Sequence, residues 1–303
     1  MRFVAVDWGT SRIRALLVDG AAVLARAESD EGVSRLKAGE HAVVFAHHCG
    51  AWLAAEPDLP VVLVGMAGSR EGWALAPYAE CPAGVDEIAA ALTSIEIGNN
   101  RKGVIVPGVR LLEGGRADVM RGEETHLLGS GVTDGLVCLP GTHCKWALLR
   151  GGRIASFATF LTGELYALLR EHSMVGRPAT EPPDPAGFAE GLAASPLGGR
   201  EAGGGLLNRL FAARAATLTG RLGRERLGPY LSGLLTGEEI AGAFGLFGRP
   251  DQVTIVADPP RAELYRMALQ AEGIEVAVKG QEETLLAGLG ALLSRQPLRE
   301  RLT

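Results

Sequence analysis

Val4-Ala5-Val6-Asp7-Trp8-Gly9-Thr10-Ser11-Arg12-Ile13-Arg14 runs from an apolar strand through a Gly-Thr-Ser turn into a second strand. The same pattern returns at an offset of 132 residues without a gap. Gly9-Thr10 falls on Gly141-Thr142, Ala15-Leu16-Leu17 on Ala147-Leu148-Leu149, and Gly20 on Gly152. An apolar strand precedes each Gly-Thr pair, Val4 to Val6 in one copy and Leu136 to Cys138 in the other. A repeated strand, turn, strand, turn, strand unit implies two similarly folded halves.

A Gly-Thr-Ser turn between strands can aim several backbone N–H groups and hydroxyls at one anion. Glycine lets the backbone approach a phosphate closely. Gly9, Thr10, Ser11 and Arg14 are therefore phosphate-binding candidates in the first copy, and Gly141, Thr142, His143 and Lys145 in the second. Lys145 has two readings, a phosphate contact or a side chain pointing outward from its strand. The copies are unequal, because Leu139 and Pro140 stand where the first copy has Asp7 and Trp8. Only Asp7 is an acid suited to a hydrated Mg²⁺, which takes one or two carboxylates together with water and phosphate oxygens.

Around this unit the chain reads as a globular α/β protein. Its 303 residues exceed one typical domain. Hydrophobic residues make up 47%, aromatic residues only 5%, and glycines number 42, which implies an aliphatic core with many tight turns. The net charge of −5 comes without a Lys/Arg block, which argues against nucleic acid or an anionic membrane as partner. No apolar run reaches the roughly 18 residues of a membrane span, and no signal peptide is expected. Cys49, Cys81, Cys138 and Cys144 lack metal or redox spacing and read as reduced thiols, which points to a cytoplasmic protein.

Strands are expected at 3–6, 12–18, 23–27, 61–64, 103–107, 136–139 and 253–256. Helices are expected at 39–55, 122–130, 162–172, 185–194, 205–222, 229–245, 260–272 and 282–294, with loops at 177–185 and 198–205. Residues 1–115 are expected to form one lobe and 116–303 the other.

Asp7-Trp8-Gly9-Thr10 with Arg14 resembles the first phosphate motif of the sugar-kinase/actin/Hsp70 superfamily. More narrowly, the chain resembles the 2-dehydro-3-deoxygalactonokinase family over nearly its whole length. Gly32-Val33-Ser34-Arg35-Leu36, Gly65-Met66-Ala67-Gly68-Ser69 with Gly72-Trp73, and Met120-Arg121-Gly122-Glu123-Glu124-Thr125 carry that resemblance. So do Pro140-Gly141-Thr142-His143-Cys144-Lys145-Trp146, Leu161-Thr162-Gly163-Glu164-Leu165 and Leu231-Ser232-Gly233-Leu234-Leu235. The resemblance implies a duplicated actin/hexokinase-like (ribonuclease H-like) fold of two lobes with an interlobe cleft. It also implies transfer of the ATP γ-phosphoryl group, with Mg²⁺, to the terminal hydroxyl of a six-carbon 2-keto-3-deoxy sugar acid.

Such a kinase needs a carboxylate to accept the hydroxyl proton. Glu124 is the favoured base, Glu123 its rival and Asp118 the outside candidate; the alternative is that the acids merely suit a helix N-terminus. Met66, Ala67, Gly68 and Ser69 are expected to present amides and a hydroxyl to the sugar acid. Ser34 and Arg35 are candidates beside them, with Arg35 and Arg121 competing for the substrate carboxylate, since arginine binds carboxylates bidentately. Trp73 is either core or sugar platform, and Thr162 either helix cap or nucleotide contact. Ala257 and Asp258 sit where such kinases bind adenosine, although Pro259 and Pro260 remove two N–H donors there. Gly288 and Gly290 either approach the adenine or permit close helix packing.

The expected partners are ATP and the sugar acid, with the state left open between monomer and homodimer. Two other readings stand: another enzyme of the superfold, such as a hexose kinase or exopolyphosphatase, and a non-enzymatic ATP-binding regulator. Regulators of this fold often carry a DNA-binding helical extension, for which no room is expected before Asp7.

Overall fold

The computed structural model describes residues 1–199 and 204–295. In chain order the elements begin β1 (Arg2–Trp8), β2 (Ile13–Asp19), β3 (Ala22–Ser29), α1 (Glu40–Ala55), β4 (Val61–Gly65), β5 (Tyr78–Glu80) and α2 (Val85–Ala90). They continue with β6 (Thr93–Glu96), β7 (Lys102–Ile105), β8 (Gly108–Glu113), β9 (Arg116–Met120), α3 (Glu123–Gly129), β10 (Gly135–Leu139), β11 (Cys144–Arg150) and β12 (Arg153–Phe160). The remainder is α4 (Thr162–His172), α5 (Ala186–Ala193), α6 (Gly205–Leu218), α7 (Arg224–Phe247), β13 (Gln252–Val256), α8 (Arg261–Ala271), β14 (Glu275–Lys279) and α9 (Gln281–Leu293).

The chain forms two compact units. The first holds Met1–Asp134, Leu149–Phe157 and the segment from Gly280 onward; the second holds Gly135–Leu148 and Ala158–Lys279. The boundary expected after residue 115 instead falls in the turn between β8 and β9, whose antiparallel pairing runs to Glu113↔Arg116. That pairing binds residues on both sides of position 115 into the first unit.

The first unit's main sheet has the order β3-β2-β1-β4-β7-β6, and the second has β12-β11-β10-β13-β14. Counted within each half, both place the third, second, first and fourth strands in line with the next parallel strand beyond. The duplication therefore covers five strands of each sheet, and β6 at the edge of the first has no counterpart. In the first unit β1 pairs antiparallel with β2 and parallel with β4, so it lies at the centre, and Val4, Val6 and Trp8 are fully enclosed. In the second, β10 and β13 run parallel and Val137, Cys138, Val253 and Ile255 are enclosed in the same way. Full burial of each such side chain stabilises by about 1.5–3 kcal/mol.

Helix α7 begins at Arg224, five residues ahead of the expected start at Pro229. Proline has no N–H for the carbonyl four residues back, so it reads as a first-turn residue. Here the Glu225 carbonyl that Pro229 leaves free accepts the Asp184 backbone N–H at 2.9 Å. The loop 177–185 thus repairs the helix, and the turns before Pro229 survive. The Gly-rich loop expected at 198–205 lies partly outside the described residues.

Candidate active site

Both Gly-Thr turns sit at the C-terminal end of a central strand, the usual ligand-facing edge of an open α/β sheet. The Gly9 N–H closes the first turn on the Arg12 carbonyl at 2.8 Å. The segment after β3 then supports it, because Val33 N–H donates to Gly9 O and Ser34 N–H to Thr10 O, both at 3.0 Å. The Ser34 hydroxyl also donates to Thr10 O at 2.8 Å, so this expected substrate residue is a strut under the turn. A Cβ on Gly32 would lie 2.2 Å from the Ser11 carbonyl carbon, which is why glycine opens that segment. Arg35 is exposed on the same short turn. Asp7 Oδ2 accepts Arg14 Nη2 at 3.0 Å, and both residues line a cavity of about 580 Å³ with Gly9, Ser29 and Gln281.

Support of the second turn comes from the start of α4. Glu164 N–H donates to Thr142 O at 3.0 Å, and the Glu164 carboxylate meets His143 Nε2. A Cβ on Gly163 would stand 2.3 Å from Gly141 O, so only glycine permits this approach. Thr142 and His143 are exposed. Lys145 is buried, and its ammonium donates to the His143 carbonyl at 3.3 Å, which rules out the outward-pointing reading. Thr162 lies inside α4, past its Leu161 cap, and bonds the buried Glu239 carboxylate instead of capping the helix.

The acidic pair begins α3 behind Gly122, whose φ of +107° only glycine adopts readily. A Cβ there would be 3.3 Å from the Cα of Gly65, so α3 starts against the end of β4, the strand beside β1. The two carboxylates differ. Glu124 is completely enclosed; its oxygens accept the Gly122 N–H at 2.7 Å and the Thr125 hydroxyl at 2.9 Å. Burial, reinforced by the charge of Glu123, pushes its pKa up to about 7. Glu123 is half-exposed and accepts the Arg121 N–H at 3.0 Å. Asp118, the outside candidate, lies on β9 and accepts the Val119 N–H.

Arg121 stands over the Tyr78 ring at 4.4 Å and donates from Nη2 to Ala76 O at 2.9 Å. Its Nε and Nη1 are buried without a hydrogen-bond partner, as is the nearby loop's Ser69 hydroxyl. Nη1 would lie 2.7 Å from a Cβ on Gly68, so guanidinium and loop are in contact. An unpaired buried guanidinium is costly, and no such deficit exists at exposed Arg35. Ala67 belongs to the core, Met66 packs on it, and Trp73 meets Trp8 at 6.0 Å and Phe45 at 5.3 Å within an aromatic cluster. Of the expected sugar-binding group, Gly68, Ser69 and Arg121 are thus brought together, and Trp73 packs, half-buried, against the core.

In the second unit a cavity of about 360 Å³ is lined by Gly141, Thr142, Thr162, Tyr166, Ser232 and Arg261, among others. Ala257 is buried and Asp258 supplies the carbonyl for Ala262 N–H at the head of α8. The loop after β13 therefore reaches this cavity through Pro260 and Arg261, two residues beyond the expected pair. Gly288 packs on α3, where a Cβ would stand 2.0 Å from Thr125 O, and nothing lies within 4 Å of a Cβ on Gly290. Close helix packing, not an adenine contact, explains Gly288.

The family model described as 2-keto-3-deoxy-galactonokinase matches residues 7–292. The chain belongs to that family. It is 39% identical over 95% of both chains to the "Probable 2-dehydro-3-deoxygalactonokinase DgoK1" of Rhizobium meliloti (strain 1021). It is 36% identical to the 2-dehydro-3-deoxygalactonokinase of Escherichia coli (strain K12), over 96% of this chain and 97% of that one. The crystal structure of "a putative 2-dehydro-3-deoxygalactonokinase protein from Sinorhizobium meliloti" superposes with a TM-score of 0.85 at 36% identity, covering 96% of this chain and 97% of that one. The family strings acquire physical content from the geometry: Gly32 to Ser34 and Gly163-Glu164 support the two turns, and Arg121 to Thr125 hold the acid pair. Glu239, which bonds Thr162, Trp146 and Tyr265 beneath the second turn, went unrecognised in the sequence. Its only signal was a charged pair, Glu238-Glu239, inside an otherwise apolar stretch of helix.

Proposed function

We propose that this chain transfers the γ-phosphoryl group of ATP to the terminal 6-hydroxyl of 2-dehydro-3-deoxy-D-galactonate. The observation that carries the reading, beyond family membership, is the head of α3. There a carboxyl group held near neutral pKa stands three residues from a guanidinium with two unpartnered donors. Glu124 is the base in this proposal. As O6 bonds to the γ-phosphorus, the O6 proton passes to the Glu124 carboxylate, and the bond to the bridging oxygen breaks to release ADP. A base with a pKa close to the working pH suits that transfer. Nε and Nη1 of Arg121, which point to opposite sides of the guanidinium, would each donate to an oxygen of the sugar acid, Nη1 on the side of Gly68.

The Gly9–Ser11 turn with Arg14, and the Thr142–His143 turn, would each bind nucleotide phosphate, and the second-unit cavity beside Thr142 and Arg261 would take a nucleoside. Asp7, which lines the first-unit cavity, fits a hydrated Mg²⁺: Oδ2 is engaged by Arg14, and Oδ1 lies 3.5 Å from where a Cβ on Gly65 would stand. Among the described residues no cluster of His, Cys, Asp and Glu offers a metal cage. A single carboxylate with phosphate oxygens and water is the set Mg²⁺ accepts. When bound, the ion would neutralise charge on the transferring phosphoryl oxygens.

Coupled assays with 2-keto-3-deoxygalactonate, 2-keto-3-deoxygluconate, glucose and no acceptor test the assignment. Turnover should be highest with the galactonate derivative. Faster turnover of glucose, or equal ADP release without acceptor, would sink it.

A further inference from the structure

We propose that Glu239 is the positioning residue of the second phosphate turn, acting through Tyr265 and Cys144 on the Gly141 amide. This rests on the reading that the turn binds nucleotide phosphates. The argument starts from a difference between the two copies of the hairpin. In the first copy the Gly9 N–H is satisfied by a backbone carbonyl, that of Arg12, at 2.8 Å. At the repeat offset Arg12 falls on Cys144. In the second copy the Gly141 N–H donates to the Cys144 sulfur at 3.3 Å, and the thiol in turn lies 3.3 Å from Gly141 O. A side chain has replaced a main-chain closure, so the turn is only as well placed as that thiol.

The thiol is held from below. Cys144 Sγ lies 3.2 Å from the Tyr265 hydroxyl, which donates to Glu239 Oε2 at 2.8 Å. Glu239 Oε1 accepts the Trp146 indole N–H at 2.8 Å, and the Thr162 hydroxyl and Cys144 thiol also bond the carboxylate. Burial keeps the Tyr265 phenol far above its usual range and pushes the Cys144 thiol up to about 12, so both retain their protons. One carboxylate thus gathers donors from β11, α4 and α8, the three elements around the turn. Gly141, Thr142, Cys144, Thr162 and Tyr265 line the same cavity.

A buried carboxylate is seldom the most stable choice for a core position; packed apolar groups of similar volume often do as well or better. Retaining one here fits a demand for fixed geometry. With the Gly141 amide spent on the thiol, the groups left to face a phosphate are those of Thr142 and His143, and the relay sets where they point.

The test uses Tyr265→Phe and Cys144→Ala, which break the relay while sparing the Trp146 bond, with Thr142→Ala as the control on the underlying reading. KM for ATP, KM for the sugar acid, kcat and the melting temperature are measured for each, and for the Tyr265→Phe/Cys144→Ala double variant. Loss of one buried hydrogen bond should raise KM for ATP about five- to tenfold. KM for the sugar acid should stay within about twofold, and the double variant should be no worse than the poorer single, as expected for one chain of contacts. If Thr142→Ala weakens ATP while both relay variants bind it normally and only melt earlier, Glu239 is merely structural and the inference falls. A normal KM for ATP in Thr142→Ala overturns the phosphate reading of the turn, and the inference with it.

Discussion

At the scale of single residues, Arg121 and Glu124 separate two requirements that their adjacency in the sequence concealed. Arg121→Lys keeps the charge but loses the planar fork, so KM for the sugar acid should rise by about one to two orders of magnitude while KM for ATP holds. Steady-state kinetics with each substrate varied in turn checks this; a shift in the ATP term alone would point to Arg35 or another anchor. Glu124→Gln should lower kcat by about 10²–10⁴ with nucleotide binding intact, the usual range for loss of a general base. The same residue leaves a mark on stability. Its folded pKa of about 7 lies above the ordinary 4.5, so the folded protein holds this proton more tightly than the unfolded chain. Its contribution is therefore greatest at low pH and is lost as pH rises from about 4.5 to about 7. Glutamine does not titrate. Relative to the wild type, Glu124→Gln should gain stability across that window, by roughly 1.4 kcal/mol for each pKa unit of separation. Urea unfolding at pH 5 and pH 8 reads the difference; equal gaps at the two values would mean that Glu124 is not desolvated.

At the scale of elements, α3 is the piece that the rest of the unit is shaped to receive. It starts where Gly122 meets Gly65 and is backed along its length by α9, with Gly288 seated on Thr125 and Gly129 on Thr284. His126 Nδ1 and the Thr284 hydroxyl bond across the same contact at 2.9 Å. Gly288→Ala would place a methyl group 2.0 Å from Thr125 O, so the helices must part. The expected cost is about 1–3 kcal/mol, with kcat falling alongside because α3 carries Glu123 and Glu124. Denaturant unfolding and turnover of one preparation check both; Gly290→Ala, which meets nothing, is the matched control. Most helix positions were legible in the sequence because α1 and α4 to α9 run 8 to 24 residues between stretches rich in Gly and Pro. The short strands β5, β6, β8, β9 and β14 were not, because three to six residues carry little periodicity, and β5 and β14 are separated from their partners β8 and β13 by intervening elements. The early start of α7 was hidden for a related reason: the Asp184 N–H that relieves Pro229 is contributed by a distant loop.

At the scale of the whole molecule, the duplicated hairpin was readable because it is local, whereas its supports depend on residues two dozen positions away. Gly32 and Gly163 take equivalent roles under their turns, but one follows a strand and the other lies at the start of a helix, and the ungapped offset of 132 residues misses the pair by one position. Candidate site residues were legible wherever a motif marks backbone geometry, as at Gly9 and Gly141. They were not where packing decides: Trp73 lies half-buried against the core cluster, and the Lys145 ammonium turns inward to the His143 carbonyl. The division of labour between the units gives a prediction that no single residue can. If Arg121 holds the sugar acid while both Gly-Thr turns bind nucleotide phosphate, the two ligands should stabilise different sets of variants. A ligand at a hundred times its dissociation constant stabilises the folded state by about 2.7 kcal/mol. In the wild type, melting should rise with ADP and with the sugar acid. Thr142→Ala in the second unit should lose most of the ADP-induced rise and keep that of the sugar acid. Arg121→Lys should show the opposite, and Arg14→Ala should resemble Thr142→Ala although it belongs to the first unit. Thermal shifts at fixed ligand concentration read all three, and an Arg14→Ala protein with a wild-type ADP response would deny the first turn its share of the nucleotide.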